Sequence, residues 1–462
     1  MKKLLFLIGF LLPVLGYNQP LWYKSSPLDF AWKNVGIAGF SAGEVDYTSI
    51  AISPSGEPYI AFQDWANSKK ATVMKFDETS WVVVGSAGFS DEEADYTNIA
   101  FNHSGEPFVA FTDSMRSYKS TVMKFDGSSW SVVGTPGFSA GMAKYTSLAF
   151  SPAGVPYIAY EDAGNSNKAT VMKFDGTNWV VVGVPGFSEG MAMYTSLAIN
   201  LSDSMPYVGY RDSGSGYKAT VMKFNGSGWI NVGNPGFSAG EVLSTSLAIN
   251  PSDNKPYLAF RDDESANGKA SVMKFDGTNW VIVGTAGFSS GIAYYPSLAF
   301  DTSGQPCVAF LDGGNSVKAT VMKFNGTNWV NLGMAGFSAG MAEYSTLAFS
   351  TSGIPYVAYQ DYGNSGKATV MKYDSVYTGM NEQRLHYFTM YPNPASTEMT
   401  LEISPSMVPG YIIIYNLEGQ PLITREITEP KTQINITGIT NGIYFVKVSS
   451  NQSVEVAKFV KE

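Results

Sequence analysis

Apolar residues along most of this chain fall in short clusters, and the unit around Tyr145 is representative. Residues 145–150 (Tyr-Thr-Ser-Leu-Ala-Phe) and 155–160 (Val-Pro-Tyr-Ile-Ala-Tyr) are apolar or small at nearly every position, and they are followed by 168–174 (Lys-Ala-Thr-Val-Met-Lys-Phe) and 179–183 (Trp-Val-Val-Val-Gly). Each run is too short for a helix, rich in β-branched and aromatic residues, and bounded by Gly, Pro, Asn or Asp, so each reads as a strand. In the first such unit the predicted strands a to d are 48–53, 58–63, 70–76 and 81–85. Gly56 and Pro58 close the a–b hairpin, with Pro at the first strand position, where no ladder donor is lost. Asp126-Gly127 and its counterparts close c–d. Strands a and b scarcely alternate, so both faces of each small sheet must be covered.

The pattern repeats almost verbatim. Trp stands at 32, 81, 130, 179, 229, 280 and 329, at intervals of 49, 49, 49, 50, 51 and 49 residues, a period that marks propellers and other arrays. The first Trp segment precedes any a-b-c set, whereas the last set, 346–373, has no Trp strand after it. A ring would place the segment near Trp32 as outer strand of the last unit and remove two open edges at once. The expected fold is therefore all-β: a closed seven-bladed β-propeller of four-stranded blades over residues 32–373, followed by a small C-terminal β-sandwich.

Outside the repeats, residues 1–16 carry Lys2, Lys3 and a short apolar core, the form of a cleaved signal peptide. Residues 17–31 are an aromatic lead-in, 374–388 a polar linker, and 389–462 a separate all-β segment with strands expected at 399–403, 410–416, 432–437, 442–449 and 454–461. Cys307 is the only cysteine, so no disulfide within the chain is possible and stability must come from core burial.

The tail has a specific pattern: Tyr391, Pro392, Asn393 and Pro394 at its start, Leu417-Glu418-Gly419-Gln420 after a central strand, a run from Gly442 through Tyr444 to Val448, and Lys458-Phe-Val-Lys461 at the end. It resembles the type A C-terminal sorting domain of the bacterial type IX secretion system. The resemblance implies that the type IX machinery is a partner and that the product is secreted or held at the outer cell surface after crossing the periplasm. It also implies removal of the domain, with the passenger released or attached to surface lipopolysaccharide.

Formal net charge is −9 with only 15% charged residues and no basic stripe, which argues against nucleic acid as a partner. No second apolar segment could span a membrane. Catalytic chemistry is sparse. His103 and His386 lie apart in a turn and the linker, Cys307 fills a slot that is Tyr in most repeats, and Arg116, Arg211 and Arg261 sit in different blades. Neither a triad nor a metal cluster results, so no cofactor or metal is expected, and Asp262-Asp-Glu264 lacks the spacing of a calcium loop.

Two sets of polar residues recur. Asp64, Asp113, Asp162, Asp212, Asp262, Asp312 and Asp361 end strand b opposite Lys70 and its counterparts, and either steady the b–c hairpin or form a ring of acceptor carboxylates. Tyr47, Tyr96, Tyr145, Tyr194, Tyr295 and Tyr344 end the d–a loops, with Ser244 in their place once. These tyrosines are either wedges between blades or, beside the Asp ring, aromatic platforms for sugar. The expectation is a non-enzymatic secreted or surface module binding glycan, or another surface ligand, through seven near-equivalent sites that gain by avidity. A structural or protein-interaction scaffold, such as an adhesion component, is the alternative, and a glycan-active enzyme the third. Departures from the repeat look scattered rather than gathered at one site.

A chain truncated at Asp374 should accumulate in the periplasm of a host that has type IX secretion; recovery of the truncated form at normal levels on the surface or in the medium would contradict the sorting role.

Overall fold

A computed structural model of the protein describes residues 29–376, 388–450 and 454–462. The expected signal segment, His386 and most of the expected linker lie outside these residues. The chain divides into two compact units, the first ending at Val376. In that unit, β1 (Asp29–Asn34) precedes β2 (Val45–Ile52), β3 (Pro58–Asp64), β4 (Lys70–Phe76) and β5 (Trp81–Val83). Strands β2 to β5 form one antiparallel four-stranded blade in chain order, and five further blades repeat it. The seventh blade joins Ala342–Phe349, Pro355–Asp361 and Lys367–Val376 to β1, with Trp32 opposite Tyr373 in register. Closure of the ring by the first strand is therefore observed, and the pairing runs to Asp29 and Val376, beyond the boundaries expected at 32 and 373.

Two local differences from the expected strands have physical causes. Strand d ends after three residues, because Gly85 turns the chain at φ 73° and a side chain there would meet Trp130 of the next blade at 3.0 Å. Strand a begins earlier, at Val45, and carries a bulge between Asp46 and Ser49.

Adjacent blades are locked together by the repeated Trp. Trp81 stacks on Phe40 of the preceding Gly-Phe-Ser loop, with centroids 4.2 Å apart and planes within 7°, and its indole N–H donates to the carbonyl of Val35 at 2.7 Å. The same pair of contacts recurs at every junction, including the seam, where Trp32 stacks on Phe337 at 4.3 Å and donates to the carbonyl of Leu332. Strand b lies in the middle of each blade; Ile60, Ala61 and Phe62 are almost fully buried, which is why its sequence does not alternate.

The second unit is a sandwich of a three-stranded sheet (Phe388–Tyr391, Glu398–Ile403, Lys431–Asn435) and a four-stranded one (Pro421–Ile427, Gly410–Tyr415, Gly442–Ser450, Val454–Lys461). Met399, Leu401, Ile412, Ile414, Val446 and Phe459 fill its core. Strand Pro421–Ile427 was not anticipated because it is a mostly exposed edge with little apolar signal. The opening Tyr-Pro-Asn-Pro clasps the last strand: Asn393 Oδ1 accepts the Val460 N–H at 2.9 Å and its amide donates to the Lys458 carbonyl at 3.3 Å. Tyr444 donates to the Thr440 carbonyl at 2.6 Å and stacks on Phe459, and Gly419 turns the chain at φ 80°.

Deleting residues 31–36 should lower and broaden the thermal transition of the propeller. Phe337→Ala, which removes a mostly buried ring from the seam, should destabilise by about 3–5 kcal/mol. An unchanged melting curve for the deletion would contradict closure through β1.

A tyrosine-lined cavity at the centre of the ring

The bulge in strand a is the feature that builds the site. It puts Tyr47 in the left-handed region at φ 51°, and the equivalent residues follow: Tyr96 at 54°, Tyr145 at 53°, Tyr194 at 55°, Ser244 at 51°, Tyr295 at 49° and Tyr344 at 51°. For a non-glycine residue that conformation costs roughly 1–2 kcal/mol, so neighbouring bonds must hold it. A belt of hydroxyls does. The Thr97 hydroxyl donates to the Tyr47 carbonyl one blade back at 2.5 Å, and Thr48, Thr146, Thr195 and Thr245 make the same bond to Tyr344, Tyr96, Tyr145 and Tyr194. A second belt lies two residues on, where Ser49 accepts the Ile99 N–H at 3.2 Å and Asn98 accepts the Leu148 N–H at 2.8 Å; side chains at all seven junctions repeat it.

The bulges converge on a cavity of about 560 Å³ lined by the innermost strands of all seven blades. All six predicted tyrosines line it, and neighbouring rings touch: centroids are 4.8 Å apart for Tyr47 and Tyr96, 5.1 Å for Tyr96 and Tyr145, 4.6 Å for Tyr145 and Tyr194, 5.4 Å for Tyr295 and Tyr344, and 5.0 Å for Tyr344 and Tyr47. The circle is open only at Ser244. Burial pushes the phenols of Tyr47, Tyr96, Tyr145, Tyr295 and Tyr344 up, with further contributions from neighbouring carboxylates or phenols, so these hydroxyls stay protonated and can both donate and accept.

The recurring aspartates do something else, and here the expectation of an open ring of acceptors is corrected. Asp64, Asp113, Asp162, Asp212, Asp262, Asp312 and Asp361 are all buried, and none lines the cavity. Asp64 caps the turn that follows it, accepting from the Ala66 N–H at 3.1 Å, the Asn67 amide at 2.9 Å and the Thr72 hydroxyl at 2.8 Å. Asp162 and Asp361 are held identically. Lys70 stands opposite Asp64 in register, but the carboxylate's hydrogen bonds go to the loop and to Thr72. These acceptors are occupied, and a ligand has no access to them.

Other candidates also find structural places. The loop phenylalanines are spent on the Trp stacks, and Ser90 of the same loop accepts the Ala71 N–H at 2.9 Å while donating to the Glu92 carbonyl. Cys307 is fully buried, and burial pushes its thiol up to about 12. His103 is exposed in its turn. Within the acidic run, Asp263 pairs with Arg261 and Glu264 accepts the Glu241 N–H. Among the described residues no group of acidic, His or Cys side chains is arranged to hold a metal ion, and no helix is long and apolar enough to cross a membrane.

Sequence reasoning missed Leu243, Arg261, Tyr294 and Pro296 as cavity residues; they line it on blade 5, which carries the opening, and on blade 6 beside it. Whereas Asn98, Ser345 and Thr346 are polar-for-polar departures elsewhere in the lining, the departures that remove a ring or bring a charge to the cavity lie on these two blades. Their signal was present: Pro296 replaces the hydroxyl residue of the first belt in the blade just after the one that lacks its tyrosine.

Residues 389–462 match the family described as Secretion system C-terminal sorting domain. The tail is a type IX sorting domain, and such a tail implies export to the cell surface or beyond. No curated protein matches the chain in sequence. Among solved structures, the chain is similar to a polysaccharide lyase, an ulvan lyase bound to -[GlcA(1-4)Rha3S]-, at 11% identity and TM-score 0.51, over 73% of this chain and 96% of that one. It is also similar to PorZ, a surface component of the type IX secretion system of Porphyromonas gingivalis (13% identity, TM-score 0.47, 91% of this chain and 60% of that one). A variant of the Aleuria aurantia lectin in complex with Fucα1-6GlcNAc matches at 13% identity and TM-score 0.43, over 66% of this chain and 100% of that one. The likeness to the lyase is one of fold.

Asp162→Ala should destabilise the propeller by about 1–3 kcal/mol, the penalty for leaving buried donors unpaired, and should leave any ligand affinity unchanged at temperatures where the variant is folded. Loss of binding by a folded Asp162→Ala protein would restore the aspartates as ligand residues.

Proposed function

We propose that this exported protein is a non-enzymatic binding module that holds one oligosaccharide in the tyrosine-lined cavity. The observation that carries the reading is the tyrosine ring itself. Six phenols present aromatic faces and hydroxyls to a shared space, the combination that receives the C–H faces and hydroxyl groups of sugars. A volume of about 560 Å³ falls in the range of small-molecule sites.

The competing view, that Tyr is needed as a wedge, is weakened by blade 5. Ser244 keeps the same bulge at φ 51°, so the backbone geometry does not depend on the phenol. Six phenols kept at a strained position where serine also serves are free for a ligand. Contact between successive rings supports one shared site rather than seven separate ones. Hydrolysis of a glycosidic bond ordinarily uses a pair of carboxylates, and the residues lining the cavity include none, which supports binding over hydrolysis.

A glycan array probed with the purified propeller should identify a ligand. Against that ligand, Tyr145→Ala with Tyr194→Ala should weaken binding roughly tenfold or more, each lost aromatic contact being worth about 0.5–1.5 kcal/mol. An array without hits, or unchanged affinity in the double variant, would remove the reading.

A further inference from the structure

We propose that the cavity selects a sugar carrying a carboxylate, and that Arg261 receives this group through the opening at Ser244. The inference rests on the binding role proposed above and specifies the class of ligand.

Among the described residues that line the cavity, Arg261 is the only one with a charge. It stands on strand Pro256–Asp262 opposite Leu243, a register position occupied in the other blades by Gln63, Thr112, Glu161, Arg211, Leu311 and Gln360, none of which reaches the cavity. The difference lies in the neighbour. With Ser at 244 in place of Tyr, no phenol separates this position from the centre of the ring, and the lining extends outward to Leu243, Arg261 and Tyr294.

The guanidinium is also held. Its Nε donates to Asp263 Oδ1 at 2.5 Å, and its central carbon lies over the Tyr294 ring, 5.2 Å from the centroid. Those contacts fix the fork by one edge and one face and leave the terminal amino groups for a ligand. A planar fork of two parallel N–H donors matches a carboxylate. Arg211, one blade earlier, has the opposite arrangement: it is stacked on Tyr217 and paired with Glu241 at 3.1 Å, outside the cavity.

Pro296 adds a second polar feature at the same place. Having no hydroxyl, it cannot make the belt bond that the Tyr carbonyls accept, so the Ser244 carbonyl lacks that donor. Sugar hydroxyls can supply it. Asp46 and Asp95 of blades 1 and 2, Glu161 of blade 3 and Glu343 of blade 7 act through space on the phenols of the ring, so carboxylates oppose an anion away from Arg261. Cation and carboxylates together orient the sugar with its charged end at blades 5 and 6.

The test uses two probes with one backbone, an oligogalacturonate and its methyl ester, titrated calorimetrically into the full mature chain. The acid should bind at least tenfold more tightly than the ester. Arg261→Gln, a residue found at the same register in blades 1 and 7, should abolish this preference by weakening the acid alone. Ser244→Tyr, which restores the residue of the other blades, should weaken the acid as well, with melting curves near that of the parent in both cases. Equal binding of acid and ester, or a preference that survives Arg261→Gln, overturns the carboxylate assignment. If that equal binding is lost in Tyr145→Ala, the cavity reading stands without it. Binding of both probes that is indifferent to Tyr145→Ala removes the cavity reading itself, and no binding of either probe removes both.

Discussion

Each blade meets the next through an indole, and the rest of the propeller depends on that contact. The Trp ring lies flat on the Phe of the preceding loop and gives its N–H to the carbonyl just past the preceding outer strand, so one residue sets both the spacing and the rotation between blades. Seven repeats of one junction close a ring only if the seam is made of the same parts. Trp32 on the first strand and Phe337 on the last loop supply them. Pairing of β1 with strand Lys367–Val376 also covers the edge that the last blade would otherwise expose.

With the outer wall fixed in this way, the inner wall follows. The hydroxyl belts join neighbouring inner strands side chain to backbone, and they hold a left-handed residue at the same height in every blade. Six phenols converge at that height, so what they enclose is a wall of aromatic faces and hydroxyls. One blade interrupts the wall. The loss of a ring at Ser244, of a hydroxyl at Pro296 and the approach of Arg261 coincide there, which gives a nearly symmetric scaffold one distinguishable direction.

Much of the architecture was legible in the sequence because the repeat displays it seven times. The offset between Trp32 and the first full unit disclosed closure, and the tail's Tyr391-Pro-Asn-Pro394 disclosed its address. The site was legible only in part. Tyr47 and its equivalents were singled out, but a bulge at a non-glycine residue leaves no trace in composition, so their convergence on one cavity was not foreseen. The aspartates were placed beside them on one face, yet Asp64 turns into its own loop. Asn67 at three residues and Thr72 at eight residues along the chain are the partners that draw it there, and the same spacing in Asp162, Asn165 and Thr170 could have shown this. Arg261 was dismissed because charge alone does not reveal which arginine faces a missing ring.

The central claim is that the tyrosines form one shared site. Calorimetric stoichiometry tests it most directly, using the oligosaccharide that the propeller retains. The account predicts one ligand bound per chain, with a single enthalpic transition. A stoichiometry near six or seven, with independent equivalent sites, would contradict it and return the binding surface to the separate blades.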